Sequence, residues 1–186
     1  MPDNVVDLIM NDHREVETLF ARLESEPDQR AGLVPVLTTL LTAHSRAEEA
    51  EVYPVAKSEA GETDEVEHSQ EEHLEAEQLL AALAAADPES AEFETALAKA
   101  KEAIEHHVEE EESKVLPGLR ERLTEERLME LGALFIATRT QHLGDQPVVD
   151  LRREDMLTQA RNAGITGAAT MSKSELEKEL AARAES

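Results

Sequence analysis

The sequence has no cysteine, and this absence removes several classes of catalytic and metal site. Without thiols the 186-residue chain forms no disulfide, carries no thiolate nucleophile and holds no cysteine-ligated iron–sulfur cluster. Aromatic residues are also rare, at 2% of the chain, and glycine and proline number seven each. The remainder is rich in Ala, Leu and Glu, a composition typical of helical proteins.

Basic residues are scarce relative to acidic ones. The chain has 18 Lys and Arg against 42 Asp and Glu, which gives a formal net charge of -24 at pH 7. Such a surface repels nucleic acid phosphates and anionic membranes. It also attracts cations without a specific site, so its acidity alone does not indicate a metalloprotein.

Long apolar runs are missing as well. No stretch approaches the ~20 apolar residues that a membrane span needs. The first ten residues, MPDNVVDLIM, lack both the basic start and the apolar run of a signal peptide. We therefore expect a cytoplasmic protein without a membrane partner.

Apolar residues recur at helical spacing along most of the chain. The length fits one main domain with a small appendage. The pattern predicts five helices within residues 1–147, at about residues 5–24, 36–54, 65–86, 93–117 and 124–143. The first four have similar lengths and short links, which favours an all-α fold: an up-down-up-down four-helix bundle with a fifth helix added.

Residues 148–186 differ from the rest of the chain in charge and pattern. They hold six Lys or Arg and seven Asp or Glu, a net charge of -1 against -23 for residues 1–147. We expect a helix at residues 155–163, a loop containing Gly164 and Gly167, and a second helix with a capping box at Ser172. This tail resembles small helix–loop–helix modules of the Rho N-terminal or SAP type, which often bind nucleic acid. Its few cations and its lack of aromatic residues favour a packing or protein-interaction module, with nucleic acid as the lesser alternative.

Two segments, HSRAEEAEVYP and HVEEEESKVLP, repeat one pattern. Each places a glutamate four residues after a histidine and a proline ten residues after it. Residues i and i+4 share a helical face, so the imidazole and the carboxylate lie side by side. A further histidine, preceded by an acid, stands upstream of each segment, and the whole unit recurs after 60 to 63 residues. The histidines and glutamates of this repeat are His13, His44, Glu48, His73, His107 and Glu111.

These six residues lie within the predicted apolar stripes, which predicts a buried metal site. A single histidine on an apolar stripe is usually a packed, hydrogen-bonded residue, and that is the alternative here. A buried glutamate without a cation is costly, however, and two at the same helical phase require positive charge. Nitrogen and carboxylate ligands without sulfur suit iron, manganese or zinc, and two carboxylates able to bridge indicate a dinuclear centre.

Four segments that contain these residues resemble the hemerythrin-like, HHE cation-binding proteins. They are NDHREVETLF, AHSRAEEAEVYP, SQEEHLEAEQLL and HHVEEEESKVLP, and the resemblance covers about residues 5–120. It implies a four-helix bundle that holds a non-haem di-iron centre. It also implies that all six residues are ligands and that Glu48 and Glu111 bridge two iron ions, with an oxo or hydroxo group as a third bridge.

The sequence departs from oxygen-carrying hemerythrin at Glu77, where that family has a further histidine. The departure argues against simple oxygen carriage and leaves a metal position open, unless Glu77, Tyr53 or His142 fills it. The alternative for Glu77 is an acid on a solvated face. Ideal helical phase places Tyr53 away from His44, although Pro54 could redirect it. For His142 the alternative is a packing histidine on the apolar stripe of the fifth helix.

Other polar residues near the repeat have a simpler interpretation as surface groups. His106 has its own acid one turn on, but the helical phase and the distance to the following proline select His107 instead. His68 is expected to be exposed. Asp12 and Glu72 could orient the imidazoles, although surface charge is the favoured interpretation.

The pattern supports three functional hypotheses. The leading one is a di-iron protein that reacts with hydrogen peroxide, nitric oxide or oxygen during oxidative or nitrosative stress, as a catalase-like or peroxidase-like oxidoreductase. The second is a non-enzymatic protein that binds or senses oxygen, nitric oxide or iron, with the tail relaying the metal state to a protein partner. The third is a structural bundle that binds a divalent ion without redox work. The same set of ligands can serve all three.

Overall fold

The computed structural model describes residues 4–143, 153–162 and 165–184. Within these residues every regular element is helical and none is a strand. The predicted all-α class is therefore confirmed for the described part of the chain. None of the described helices combines the length and the apolarity that a membrane span requires.

Four long helices form the main body of the molecule. They are α1 (Val5–Ser25), α2 (Arg30–Ala47), α4 (Thr63–Ala85) and α5 (Ala91–Glu110). Helix α1 begins where the side chain of Asn4 accepts a hydrogen bond from the Asp7 amide, and α5 begins where Ser90 caps the Phe93 amide. These helices pack on one another, and their up-down-up-down order stays a prediction from the short connections.

The helices that carry the predicted glutamate ligands do not end at their prolines. A π-helical turn, Glu48–Val52, follows α2 and leads into the short α3 (Tyr53–Val55) and a second π-helical turn, Ala56–Ala60. After α5, the π-helical turn Glu111–Val115 leads into α6 (Leu116–Arg122). The wider i→i+5 repeat changes the hydrogen-bond pattern just before Pro54 and Pro117, so helical structure continues past both residues.

A left-handed glycine ends the first of these extended helices. Gly61 has φ 79°, a conformation that glycine adopts without a steric penalty, and α4 starts two residues later. Helix α7 (Glu125–Leu143) corresponds to the predicted fifth helix. Its predicted N-cap is confirmed, because the Arg127 amide donates to the Thr124 hydroxyl at 3.2 Å.

The apolar core consists of two clusters. One contains Phe20, Leu37, Leu83 and Phe93, and the other contains Ile9, Val52, Val66, Leu119 and Phe135. Burying one such side chain contributes about 1.5–3 kcal/mol to folding. Between the two clusters lies a layer of buried polar residues, which holds the predicted ligands.

The tail contains α8 (Arg153–Asn162) and α9 (Lys173–Ala184), which pack on each other. The predicted capping box is confirmed, since the Ser172 amide donates to Glu175 Oε2 at 2.8 Å and the Glu175 amide donates to Ser172 Oγ at 3.3 Å. Buried tail residues such as Met156 and Leu176 belong to the same apolar cluster as Phe20. The predicted linker at residues 144–147 and the predicted loop residue Gly164 lie outside the described residues. The boundary between residues 147 and 148 stays a prediction.

Candidate metal centre

The six residues predicted as ligands converge in the polar layer between the two apolar clusters. All are buried, from 0% exposed for the two glutamates to 7% for His107. Four histidines come from the four long helices, one from each. Each glutamate is the first residue of a π-helical turn. The set divides into two copies of the repeat: the first ligand copy is His13, His44 and Glu48, and the second is His73, His107 and Glu111.

The potential ligand atoms form two groups that share one carboxylate. The first group is His13, His44, Glu48 and Glu111, and the second is Glu48, His73 and His107; in each, the ligand atoms lie within 4.8 Å of one another. Glu48 Oε2 is 3.2 Å from His44 Nε2 and 3.3 Å from His73 Nε2. Atoms that bind one cation at 2.0–2.2 Å lie roughly 3–3.5 Å apart, so these separations suit metal ligands.

Glu111 has a less symmetric position than the sequence predicted. Its Oε2 lies 3.3 Å from His13 Nε2, whereas its Oε1 accepts a hydrogen bond from Tyr53. It belongs to the first group of ligand atoms but not to the second. Glu48 is thus the carboxylate common to both groups, and bridging of two ions by Glu48 and Glu111 stays a prediction.

Several buried atoms at the centre accept or donate no hydrogen bond. They are His13 Nε2, His44 Nε2, Glu48 Oε1 and Glu111 Oε2. A buried polar atom without a partner costs about 1–3 kcal/mol, and more when it carries charge. A packing histidine would have both ring nitrogens satisfied. The arrangement therefore fits metal ligands, because the nitrogen and oxygen atoms that face the centre are available to bind a cation.

Each histidine directs its second ring nitrogen towards a further carboxylate. The bonds from Nδ1 are His13 to Glu112 at 2.9 Å, His44 to Asp12 at 3.2 Å, His73 to Glu49 at 3.4 Å and His107 to Glu72 at 3.0 Å. We call Asp12, Glu49, Glu72 and Glu112 the outer carboxylates. Such partners fix the ring orientation and leave Nε2 free for the metal.

The outer carboxylates correct one expectation and add two residues. Surface charge was the favoured interpretation of Asp12 and Glu72, but both contact a buried histidine. Glu49 and Glu112 were missed, although the sequence carried a signal for them: in both copies of the repeat a second glutamate directly follows the ligand glutamate.

Charge and hydrogen bonding shift the pKa values of the metal-free centre. Burial lowers the pKa of His73, but the hydrogen bonds to Glu48 and Glu49 outweigh burial and raise it to about 9. Burial likewise opposes protonation of His44, yet the charge of Glu48 and the bond to Asp12 raise its pKa well above the usual range. For Glu48, burial acts in the opposite direction, and His44 and His73 still hold its pKa well below normal. Protonated imidazoles thus balance the charge of the carboxylates, and metal binding displaces the protons of these imidazoles.

Tyr53 lies at the centre, contrary to the ideal helical phase. Its hydroxyl is 3.4 Å from Glu48 Oε2, 3.2 Å from Glu111 Oε1 and 3.3 Å from His73 Nε2. In the π-helical turn the Tyr53 amide donates to the Glu48 carbonyl, so residues five apart share a face. Burial, and then the charges of Glu111 and Glu48, raise the pKa of Tyr53 well above its usual range and keep it a phenol.

The other two candidates lie outside the ligand groups. The Glu77 carboxylate is 39% exposed and accepts a hydrogen bond from Arg46 at 3.0 Å. His142 is exposed, so its predicted packing role is wrong, and its possible site role stays a prediction. The packed face of α7 follows Leu131, Phe135, Arg139 and Leu143. Each step of four residues is one helical turn plus about 40°, so the packed face rotates slowly around the axis of α7. The direction of this rotation carries the packed face away from His142.

Arg139 is a residue of the centre that sequence reasoning missed. It lies on α7, and its Nη1 is 2.6 Å from Asp12 Oδ1, while Asp12 Oδ2 lies 3.2 Å from His44 Nδ1. The fifth helix therefore reaches the first ligand copy through one outer carboxylate. A single arginine within an apolar stripe was the available signal.

A cavity of about 20 Å³ adjoins the histidines. This volume holds roughly one water-sized molecule. All four ligand histidines line it, together with apolar residues such as Val16, Leu80 and Ile104, and Glu77 stands among its lining residues. The cavity therefore has room for about one water-sized molecule beside the four imidazoles.

The family model for the hemerythrin HHE cation binding domain matches residues 4–119, more than half of the chain. The chain belongs to this hemerythrin HHE family. The match includes all six buried residues of the two ligand copies, and it ends before α7 and the tail. Membership and the ligand groups together support a metal-binding protein.

Two relatives of this HHE protein extend the comparison. A protein from Nostoc sp. named DNA nickase is 31% identical over 148 residues, which is 77% of this chain and 42% of the relative. An uncharacterized hemerythrin-like protein from Schizosaccharomyces pombe is 26% identical over 139 residues, 73% of this chain and 68% of the relative. The chain thus spans less than half of the Nostoc protein. No solved structure matches the chain significantly.

Proposed function

We propose that this protein holds two iron ions and reacts with small oxidants, such as hydrogen peroxide, nitric oxide or oxygen, during oxidative or nitrosative stress. The observation that carries the proposal is the pair of ligand groups sharing Glu48 beside a cavity for one small molecule. Nitrogen and carboxylate ligands without sulfur suit iron, and a shared carboxylate suits two ions close together.

Iron, when bound, supplies the redox chemistry, and the chain supplies the binding, orientation and charge. Glu48 and Glu111 would neutralise part of the charge of the cations. The outer carboxylates hold the four imidazoles in place. Tyr53 holds a proton at its hydroxyl oxygen, 3.2 Å from Glu111 and facing the shared carboxylate. Because Glu77 pairs with Arg46 instead of replacing the missing histidine, a coordination position on the iron would be open to the oxidant.

The proposal is tested by metal analysis and peroxide turnover of the same preparation. Protein from iron-replete cells is expected to contain two irons per chain and to consume peroxide catalytically. The chelator-treated protein is expected to lose turnover, and readdition of iron to restore it. Glu109→Gln serves as the control, because Glu109 is an exposed acid on α5.

A non-enzymatic role in binding or sensing oxygen, nitric oxide or iron is the alternative. It would be supported by a stable, reversible oxygen or nitric oxide adduct in the visible spectrum with negligible peroxide turnover. Zinc in place of iron at the buried centre would contradict both roles and support a structural metal.

Metal-dependent DNA strand cleavage is a second candidate, because the Nostoc relative is named DNA nickase. The net charge of -24 opposes it, since DNA binding depends on positive charge. Incubation of metal-loaded protein with supercoiled plasmid at low salt tests it, with Glu48→Ala as the metal-deficient comparison. Nicking by the wild type alone would establish the activity for this chain.

A further inference from the structure

A second concentration of metal-binding side chains lies at the surface, beside the second ligand copy. We call His68, Glu72, His106 and Glu110 the surface cluster. His68 Nε2 is 3.1 Å from Glu110 Oε2 and 3.5 Å from Glu72 Oε1, and His106 Nε2 is 3.9 Å from the same Glu72 oxygen. Ligand atoms of His68, Glu72 and Glu110 all lie within 4.8 Å of one another.

The surface cluster has the atoms and spacing of a transition-metal site. One imidazole nitrogen and two carboxylate oxygens lie close together, and the His106 imidazole adjoins one of these carboxylates. Ligands at about 2.0–2.2 Å from a tetrahedral cation are roughly 3.4 Å apart, which is close to the separations of His68 from Glu110 and Glu72. Glu110 Oε2 is buried and accepts no hydrogen bond, while the other oxygen of Glu110 is taken by Lys114. The atom without a partner is thus the one that faces His68.

The first ligand copy has apolar residues at the positions equivalent to three residues of the surface cluster. Offsets of 60 and 63 residues align His68 with Leu8, His106 with Ala43 and Glu110 with Ala47. The three residues of the first copy are buried, and α7 packs on the helices that carry them. No described helix covers the second copy in that way, so its cluster faces solvent: His68 is 53% and His106 62% exposed.

Glu72 itself corresponds to Asp12, and their outer oxygens have different neighbours. The outer oxygen of Asp12 faces the guanidinium of Arg139 at 2.6 Å. The outer oxygen of Glu72 faces two imidazole nitrogens, whereas its other oxygen receives the His107 bond at 3.0 Å. A cation within the surface cluster would complete the second copy as Arg139 completes the first.

We propose that the surface cluster binds one divalent first-row transition metal, such as Zn²⁺, as a site separate from the buried centre. Mixed imidazole and carboxylate ligands favour Zn²⁺ over Mg²⁺, which prefers oxygen ligands alone. This site goes beyond the proposed oxidant chemistry and does not depend on which metal occupies the buried centre.

Calorimetric titration with Zn²⁺ in excess Mg²⁺ tests the proposal, because Mg²⁺ displaces cations held only by surface acids. The full chain with its buried centre loaded is expected to bind one further Zn²⁺. His68→Ala and Glu110→Gln are expected to weaken this binding roughly 10-fold or more. The matched controls, His142→Ala and Glu109→Gln, alter exposed residues outside the cluster and should bind Zn²⁺ as the wild type does.

A second measurement needs no variant. Carbethoxylation of exposed histidines, mapped by peptide mass spectrometry, should be suppressed by Zn²⁺ at His68 and His106 but not at His142. Zinc binding that Mg²⁺ abolishes, or that survives both cluster variants, would overturn the proposal, and so would equal labelling with and without zinc. If the buried centre holds no iron while the further zinc equivalent persists, only the proposed function fails.

Discussion

The two ligand copies have the same residue types at the same sequence spacing but different surroundings. In each, two histidines and a glutamate face the centre, and two outer carboxylates hold the imidazoles. The first copy, however, is covered by α7, which supplies Arg139 and places Phe135 5.9 Å from the ring of His44. The second copy borders solvent and the surface cluster.

A further difference lies within the repeat itself. Tyr53 in the first copy aligns with Leu116 in the second, five residues after the glutamate in each. At this position only the first copy therefore places a hydroxyl at the centre. The comparison shows that the duplicated pattern determines where the potential metal ligands lie. The residues around each ligand copy differ, and they determine its exposure to solvent, its charge and its accessibility.

The largest expected effect is a difference in metal content between variants of the two buried glutamates. Glu48→Ala removes a carboxylate that belongs to both ligand groups, so we expect loss of nearly all bound metal. Glu111→Ala alters one group only, so we expect it to retain more metal than Glu48→Ala. Elemental analysis and circular dichroism measure metal and fold, with Glu109→Gln as the control. Equal metal loss in both variants would contradict the unequal roles.

The next effect compares the outer carboxylates. Asp12→Asn and Glu72→Gln should each weaken metal affinity by about 10–100-fold, because the imidazole loses its orienting acceptor. We expect Asp12→Asn to have the greater effect, since Asp12 is 2% exposed and also pairs with Arg139. Competition with a chelator gives the affinities, and Glu71→Gln, at an exposed position of α4, is the control. A weaker effect of Asp12→Asn would oppose this ranking.

A pH dependence follows from the raised pKa of about 9 for His73. At pH 7.5 the metal-free centre holds this imidazole protonated, but a metal binds only the neutral form. Metal loading should therefore release protons, and affinity should rise about 10-fold per pH unit below pH 9 for each proton released. The same linkage means that the imidazolium stabilises the metal-free fold below about pH 6.5, and that this stabilisation is lost as the pH rises through 9.

Proton release in weakly buffered solution, followed with an indicator dye, measures this dependence. His142→Ala is the control, because an exposed histidine outside the centre should not change the release. Metal uptake without proton release, or an affinity independent of pH, would show that His73 is neutral before loading.

The smallest effect concerns the tyrosine that only one copy has. Tyr53→Phe keeps the ring and removes one hydroxyl, so we expect unchanged metal content and a loss of about 1 kcal/mol in the free energy of unfolding. The visible spectrum of the loaded centre should shift, because Glu48 and Glu111 lose their shared donor. Leu116→Met, a volume-conserving change at the equivalent position, should leave the spectrum unchanged. Identical spectra for Tyr53→Phe and wild type would remove the hydroxyl from the centre.

The sequence predicted the helices and the six buried residues well, because both depend on local periodicity. Residues His44 and Glu48 are one helical turn apart, so their shared face follows from spacing alone. Choosing His107 over His106 used the same logic, and the structure buries His107 and exposes His106. Ideal helical phase alone misplaced Tyr53, because a π-helical turn changes the phase after Glu48, whereas the sequence had suggested Pro54 as the feature that could redirect it.

What the sequence alone determined is therefore the helical class, the repeat and the residues that supply the potential ligand atoms. Only the tertiary structure decided which groups contact these residues. Arg139 pairs with Asp12, Glu112 contacts His13, and Tyr53 lies between the two glutamates. These contacts join residues far apart in the chain, and they depend on how the helices pack. Periodicity identifies the inward face of each helix, but the packing of one helix on another selects the partner.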